Sequence, residues 1–270
     1  MSHRIEVTQP EEGVALVTVT DPARQNQLCW ACVDELAERL GESRESGARI
    51  VVLASGLEGY WLQHAWLQDL ADGVEGLPQT GSGMGWFGVQ QELQHDSVVS
   101  IAAISGDTSG GGAELGWACD LRIAEQQARF AQPEVNMGLT TGIGGCSRLL
   151  RLAGRAATTE MVLTGRPFTA SRLHALGAVN EVVPRGAAVA TALQLASRLA
   201  RKPASALAGL KRILAGAADM PLDDALVREQ EVFQSVVVTD AARQGMRAMQ
   251  EAYDAGASVA AANDYAAWEG

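Results

Sequence analysis

The sequence predicts an α/β protein, and three observations carry that expectation. Apolar, β-branched runs at residues 14–19, 50–54 and 98–104 read as buried strands. Between the first two, Val33, Leu36, Ala37 and Leu40 recur at helical spacing. Strand and helix patterns therefore alternate, as parallel βαβ units with right-handed crossovers require. After residue 150 the pattern turns helical, and segments 187–201, 204–215 and 223–233 carry Leu, Val or Ile at three- and four-residue steps.

Each element has its own local signals. The strand at 14–19 is stopped by Asp21 and Pro22. The following helix is expected to face Asp34 and Glu35 outward and to stop at Gly41. Cys29 and Cys32 have redox-pair spacing at its start. They lack a thioredoxin-like context and a second pair for zinc, so core or surface thiols are expected. Segment 73–85 holds five glycines, a proline, a serine and a threonine, which reads as a mobile loop. Pro203 separates the first two C-terminal helical segments, and Pro221 precedes the third. The expected division is a core of residues 1–200 and a helical region of residues 201–270, with an alanine-rich tail from Ala255.

Composition excludes several function classes. The chain has 270 residues, enough for one large domain or a core with a small appendage. A net charge of −11 argues against a nucleic-acid binder, which needs a basic face. No apolar run is long enough to cross a membrane, and the N-terminus lacks an apolar signal core. A cytoplasmic location and reduced cysteines are the corresponding expectations. His3, His95 and His174 show no metal-ligand spacing, so no metal is expected.

The stretch from Ile101 to Asp120 carries the chemistry. An apolar run ends in Gly110, Gly111 and Gly112, and a helix pattern follows with Glu114 expected in its first turn. Glycines allow close backbone approach, and a helix N-terminus adds partial positive charge. Such a layout stabilises a carbonyl oxygen that gains charge. Twenty residues on, Glu134 follows Phe130, Gln132 and Pro133 and precedes a glycine-rich turn at 141–145. A helix-dipole or capping role is the structural alternative for each glutamate. Two carboxylates beside an oxyanion site suit proton transfer next to a carbonyl.

The segments GGGAELGWACDLRIA, FAQPEVNMGL and MVLTGRPFTASRLHALGAVNEVV, in this order and spacing, resemble the crotonase (enoyl-CoA hydratase/isomerase) superfamily over roughly residues 10–250. The resemblance implies a crotonase-like spiral of repeated ββα units with a C-terminal helical subdomain, assembled as a homotrimer or hexamer. It implies an enoyl-CoA hydratase-like lyase adding water to an α,β-unsaturated acyl-CoA. Glu114 and Glu134 would be its acid–base pair, and the N–H groups of Gly111 and His64 its oxyanion donors. Coenzyme A enters as part of the substrate, with no further cofactor. Arg24, beside the family's Asn-Ala-Leu-like element at Asn26, Gln27 and Leu28, would meet its phosphates, and Leu62, Gln63 and Gly110 would flank the substrate. The chain departs from the family's Ala-Gly-Ala-Asp-Leu segment, with Gln63 for the glycine, His64 for the following alanine and Ala65 for the aspartate. It also lacks the basic tail near the coenzyme A adenine. Isomerase, decarboxylase and dehalogenase chemistry, or a non-catalytic acyl-CoA-binding homologue, are the alternatives. A carbon–carbon hydrolase would need added histidines near the glycine turn.

Overall fold

The computed structural model describes residues 3–264. The chain divides into two compact units, residues 1–201 and 202–270. The first opens with β1 (Arg4–Glu11), paired antiparallel with β2 (Val14–Thr20). Only Ile5 of β1 is buried, so this edge strand lacks the apolar alternation that would mark it in sequence. Helix α1 (Trp30–Glu45) runs through Gly41 instead of stopping there. An interior glycine costs only about 1 kcal/mol, and the buried Cys32, Val33, Leu36 and Leu40 outweigh it.

From there the chain winds in repeats. It passes β3 (Ile50–Ser55), β4 (Gly59–Tyr60), α2 (Leu67–Glu75) and α3 (Gly85–Gln94). The next turn is β5 (Val99–Ile104), β6 (Gly106–Ser109) and α4 (Gly110–Ala118). A third is β7 (Leu121–Glu125), β8 (Arg129–Ala131), a 3-10 turn (Glu134–Met137) and α5 (Ser147–Thr164). The unit ends with β9 (Phe168–Thr169), α6 (Ala170–Ala175), β10 (Glu181–Val183) and α7 (Ala188–Ala200).

The longer strands form one sheet in the order β1-β2-β3-β5-β7-β10, parallel from β2 onward. The short strands form a second, β4-β6-β8-β9. Each repeat thus gives one strand to each sheet and then a helix, which is the spiral of ββα units. Residues 50–54 and 101–104 are buried on both faces, which explains their unbroken apolar runs.

Of segment 73–85, expected to be mobile, residues 73–75 close α2, Gly85 opens α3, and the stretch between is tied down at several points. Asp69 is fully buried and accepts from the N–H groups of Trp30 (2.7 Å) and Thr80 (2.9 Å) and from the Thr80 hydroxyl (2.7 Å). Asp34 does not simply face out. It accepts from the N–H groups of Ser82 (2.6 Å) and Gly85 (2.8 Å). Two carboxylates thus supply the order that glycine content alone does not.

The second unit is helical, with α8 (Ala204–Ala217), α9 (Leu222–Val237), α10 (Asp240–Asp254) and α11 (Val259–Ala262). Gly209 lets α8 approach α9; a Cβ there would stand 2.8 Å from Val236 Cγ2. Helices α9 and α10 bury no residue.

Candidate active site

The glycine triplet forms the first turn of α4, and each glycine has its own steric reason. Gly110 sits at φ +49°, and a Cβ there would stand 2.8 Å from His64 Cβ and 3.3 Å from Glu134 Oε1. A Cβ on Gly111 would stand 2.7 Å from the Trp86 ring, and one on Gly112 would collide with the Leu62 carbonyl. Because the glycines themselves open the helix, Glu114 is the fifth helical residue. It lies in the second turn, not the first as the sequence suggested.

Glu114 is buried at 3% exposure. Its Oε1 accepts from the N–H groups of Ile143 (2.9 Å) and Gly145 (2.6 Å), so the turn at 142–145 folds around the carboxylate. Arg148 braces the same turn from α5. It donates to the Ile143 carbonyl, to Gln90 Oε1 (2.6 Å) and to Gln94 Oε1 (3.1 Å). Burial pushes this guanidinium below its ordinary value, against the pull of Glu114.

Glu134 begins the 3-10 turn after β8 and is buried. Burial pushes its carboxyl from 4.5 up to about 7; its own backbone N–H bond opposes this, and the Glu114 charge adds to it. Gln132, fully buried, holds it. With the amide oriented to suit both neighbours, Gln132 accepts from Trp117 Nε1 (3.0 Å) and donates to Glu134 Oε1 (2.8 Å). Trp117 is itself stacked on Phe130, with ring centroids 5.4 Å apart. A Cβ on Gly145 would stand 2.9 Å from Gln132 Cδ, so the two glutamate supports meet.

The segment around His64 is placed by backbone pairing with residues 26–28. Gln63 N–H donates to the Asn26 carbonyl (2.9 Å), Leu28 N–H to His64 (3.0 Å) and Trp66 N–H to Leu28 (2.9 Å). Asn26 is fully buried at φ +56°, in the left-handed region that asparagine tolerates. Its side chain accepts from Asp21 N–H (2.6 Å) and donates to Ser55 Oγ (2.8 Å) and the Trp61 carbonyl (3.1 Å). Arg24 pairs with Asp21 Oδ2 at 3.0 Å and lies 4.6 Å over the Trp66 ring. The Gln63 side chain turns to β6, donating to the Asp107 carbonyl and accepting from Ser109 Oγ (3.0 Å). His64 Nδ1 lies 2.8 Å from the Ala65 carbonyl. Among the described residues, the N–H groups of Gly111 and His64 donate to no protein acceptor.

Four of the eight sequence-predicted residues, namely His64, Gly111, Glu114 and Glu134, line one cavity of about 300 Å³. Leu67, Leu70, Trp86, Met137, Leu139 and Ile143 make it largely apolar. Arg24, Leu62, Gln63 and Gly110 do not line it. Leu62 is fully buried, with its carbonyl accepting from Thr108 Oγ1 (2.6 Å). Gln132, Trp117, Trp86 and Arg148 went unassigned in the sequence. Of these, only Gln132 stands close in sequence to a predicted site residue, two positions before Glu134. Cys29 and Cys32 are free, buried core thiols, and burial pushes the Cys32 thiol well up, which makes it unreactive. Among the described residues no group of three His, Cys, Asp or Glu side chains could hold a metal ion.

One cavity is lined by two carboxylates, one balanced near neutrality, and by the two residues whose N–H groups are unpaired. That arrangement can bind a carbonyl oxygen as its charge grows and move a proton beside it. The enoyl-CoA hydratase/isomerase family profile matches residues 9–256. The chain belongs to this family. It is 30% identical to the 2,3-dehydroadipyl-CoA hydratase of Escherichia coli (strain K12), over 90% of this chain and 94% of that one. It is 38% identical to the probable enoyl-CoA hydratase echA8 of Mycobacterium leprae (strain TN), over 89% and 92%. A crystal structure of enoyl-CoA hydratase subunit I from Geobacillus kaustophilus HTA426 superposes with a TM-score of 0.83 at 30% identity, covering 92% and 95% of the two chains. The spiral of ββα units is therefore the crotonase fold, and the candidate site lies within the matched segment.

Proposed function

We propose that this protein is an enzyme that reversibly adds water to an α,β-unsaturated acyl-CoA thioester. One observation carries the reading: Glu114 and Glu134 share a cavity with Gly111 and His64, whose N–H groups donate to no protein acceptor among the described residues. The two N–H groups receive the thioester oxygen as it becomes an enolate oxygen. Glu114, held through Oε1, keeps its second oxygen for the attacking water and takes a proton from it. The water oxygen bonds to the β-carbon, and Glu134 in its acid form gives a proton to the α-carbon. The active state therefore carries one proton on the glutamate pair, and the reverse reaction runs through the same total protonation.

Relatives named as enoyl-CoA hydratases support the reading. Isomerases of this fold often manage with one carboxylate, so two in one cavity favour hydration. Coenzyme A is the handle on the substrate, and no metal or redox group enters the chemistry. Arg24 meets its phosphates after exchanging its Asp21 partner, with Leu62, Gln63 and Gly110 setting the backbone beside it. The protein works in the cytoplasm as a homotrimer or hexamer, consistent with the apolar side chains of Leu214, Leu222 and Phe233 that the second unit leaves exposed. Among the described residues no helix is long and apolar enough to cross a membrane. Loss of the enoyl thioester's ultraviolet absorbance on adding enzyme to crotonyl-CoA tests the activity. Binding without any absorbance change supports the non-catalytic alternative.

A further inference from the structure

We infer that Gln63 is a positioning residue of the oxyanion site: it holds the Ser109 hydroxyl away from the start of α4 and so keeps the Gly111 N–H open to a thioester oxygen. This rests on the oxyanion donors of the hydratase reading and adds how one of them stays open.

Ser109 occupies the N-cap position of α4 with an extended backbone. A serine there ordinarily accepts from the N–H two or three residues on, which here means Gly111 or Gly112. Ser109 makes no such bond. The Gly112 N–H already donates to the Gln63 carbonyl at 3.0 Å. The remaining target of an ordinary cap is the Gly111 N–H, which donates to no protein acceptor among the described residues. A capped helix start would therefore be gained at the expense of an oxyanion donor.

Gln63 settles this competition. Its Oε1 accepts from Ser109 Oγ at 3.0 Å, and its Nε2 donates to the Asp107 carbonyl. The second bond orients the amide, so its oxygen meets the hydroxyl. The Asp107 carbonyl also accepts from Trp61 N–H at 2.8 Å, and Asp107 Oδ1 accepts from Arg129 N–H at 3.0 Å. The backbone at Gln63 is pinned as well. Its N–H donates to the Asn26 carbonyl (2.9 Å), and the preceding Leu62 carbonyl accepts from Thr108 Oγ1 (2.6 Å). The side chain thus runs from a fixed backbone to a fixed strand. Where the family carries glycine, no side chain exists to do this. A released hydroxyl competes with the substrate oxygen through one net hydrogen bond, which limits the loss to about tenfold.

Removing the amide while keeping its length tests the inference. Gln63→Met should lower kcat for crotonyl-CoA hydration about tenfold and change KM less than about twofold, because the competition is felt most where charge develops on the oxygen. In the Ser109→Ala background, which has no hydroxyl to turn, the same substitution should cost less than about twofold. Circular dichroism and thermal melting establish that each variant is folded, and Gln63→Ala serves as a second substitution. Equal losses in the two backgrounds, or no loss in folded Gln63 variants, overturn the inference. The infrared carbonyl stretch of bound butyryl-CoA, labelled with ¹³C at the carbonyl, reads the same site without turnover. Hydrogen bonds to the oxygen lower this frequency. It should fall on binding to the parent, fall less in Gln63→Met, and fall fully again when Ser109→Ala is added. A stretch that Gln63→Met leaves unchanged contradicts the inference. Failure of the hydratase reading looks different: no enoyl thioester is turned over by the parent, and the stretch alone then decides.

Discussion

Glu134 is the residue on which pH acts. With its carboxyl near 7 and the pair needing one proton, kcat/KM should fall as pH rises through about 7. Hydration and dehydration should show the same alkaline limb, because both pass through one protonation state. A pH–rate profile in each direction checks this, and limbs of opposite sense would contradict it. The same group sets a stability trend. Between 4.5 and about 7 the folded chain holds a proton that the unfolded chain has released, so stability is lost as pH rises through that window. Glu134→Gln removes the loss. The variant should be more stable to urea unfolding than the parent at pH 8, by up to about 3 kcal/mol, and equally stable at pH 4. Its turnover should fall by ~10²–10⁴-fold, with acyl-CoA binding retained.

His64→Ala separates backbone from side chain at the segment where this chain departs from its family. The backbone N–H survives the change, and the imidazole already leans on the Ala65 carbonyl. The rate should change less than about tenfold, or ~1.4 kcal/mol. A folded variant that loses ~10²-fold while binding substrate normally would make the imidazole a participant. At this scale the sequence was informative: four of its site residues meet in the cavity. Gln63 and Arg24 were less legible, because their partners Asp107, Ser109 and Trp66 become neighbours only through folding.

At the scale of elements, α4 is the axis of the site, and a single buried cation holds its far end. Arg122 is 3% exposed and donates to the carbonyls of Ala178 (2.7 Å), Gly116 (3.3 Å) and Cys119. Gly116 and Cys119 lie at the C-terminal end of α4, where positive charge suits the helix dipole. Burial lowers this guanidinium from its ordinary value, yet its carbonyl partners keep the site satisfied. Arg122→Met strands those acceptors and should cost about 3 kcal/mol, read by urea unfolding. A loss within about 0.5 kcal/mol would show that α4 stands without it. Strands β3 and β5 were legible because both faces are buried. Strand β1 was not, since only Ile5 points inward. The end of α1 was misplaced because burial of its other face outweighs one glycine.

At the scale of the molecule, the second unit poses the question of assembly. Its helices α9 and α10 bury nothing, while Leu214 and Leu222 are each more than 70% exposed. Apolar surface of this kind is covered when copies associate. Light scattering after size-exclusion chromatography should give three or six times the 28.4 kDa chain; a monomer across micromolar concentrations would contradict the assembly. Helix α10 was not foreseen, although Ala242, Met246, Met249 and Tyr253 recur along it at helical spacing; the signal was there in the sequence and was passed over.

The central claim is that the glutamate pair and the two N–H donors add water across an enoyl thioester. Crotonyl-CoA incubated with the protein in ¹⁸O-labelled water, followed by mass spectrometry, tests it most directly. The account predicts a product heavier by one labelled water, formed by the parent and far more slowly by Glu134→Gln. Crotonyl-CoA recovered at unchanged mass, bound but not converted or with only its double bond moved, would contradict it.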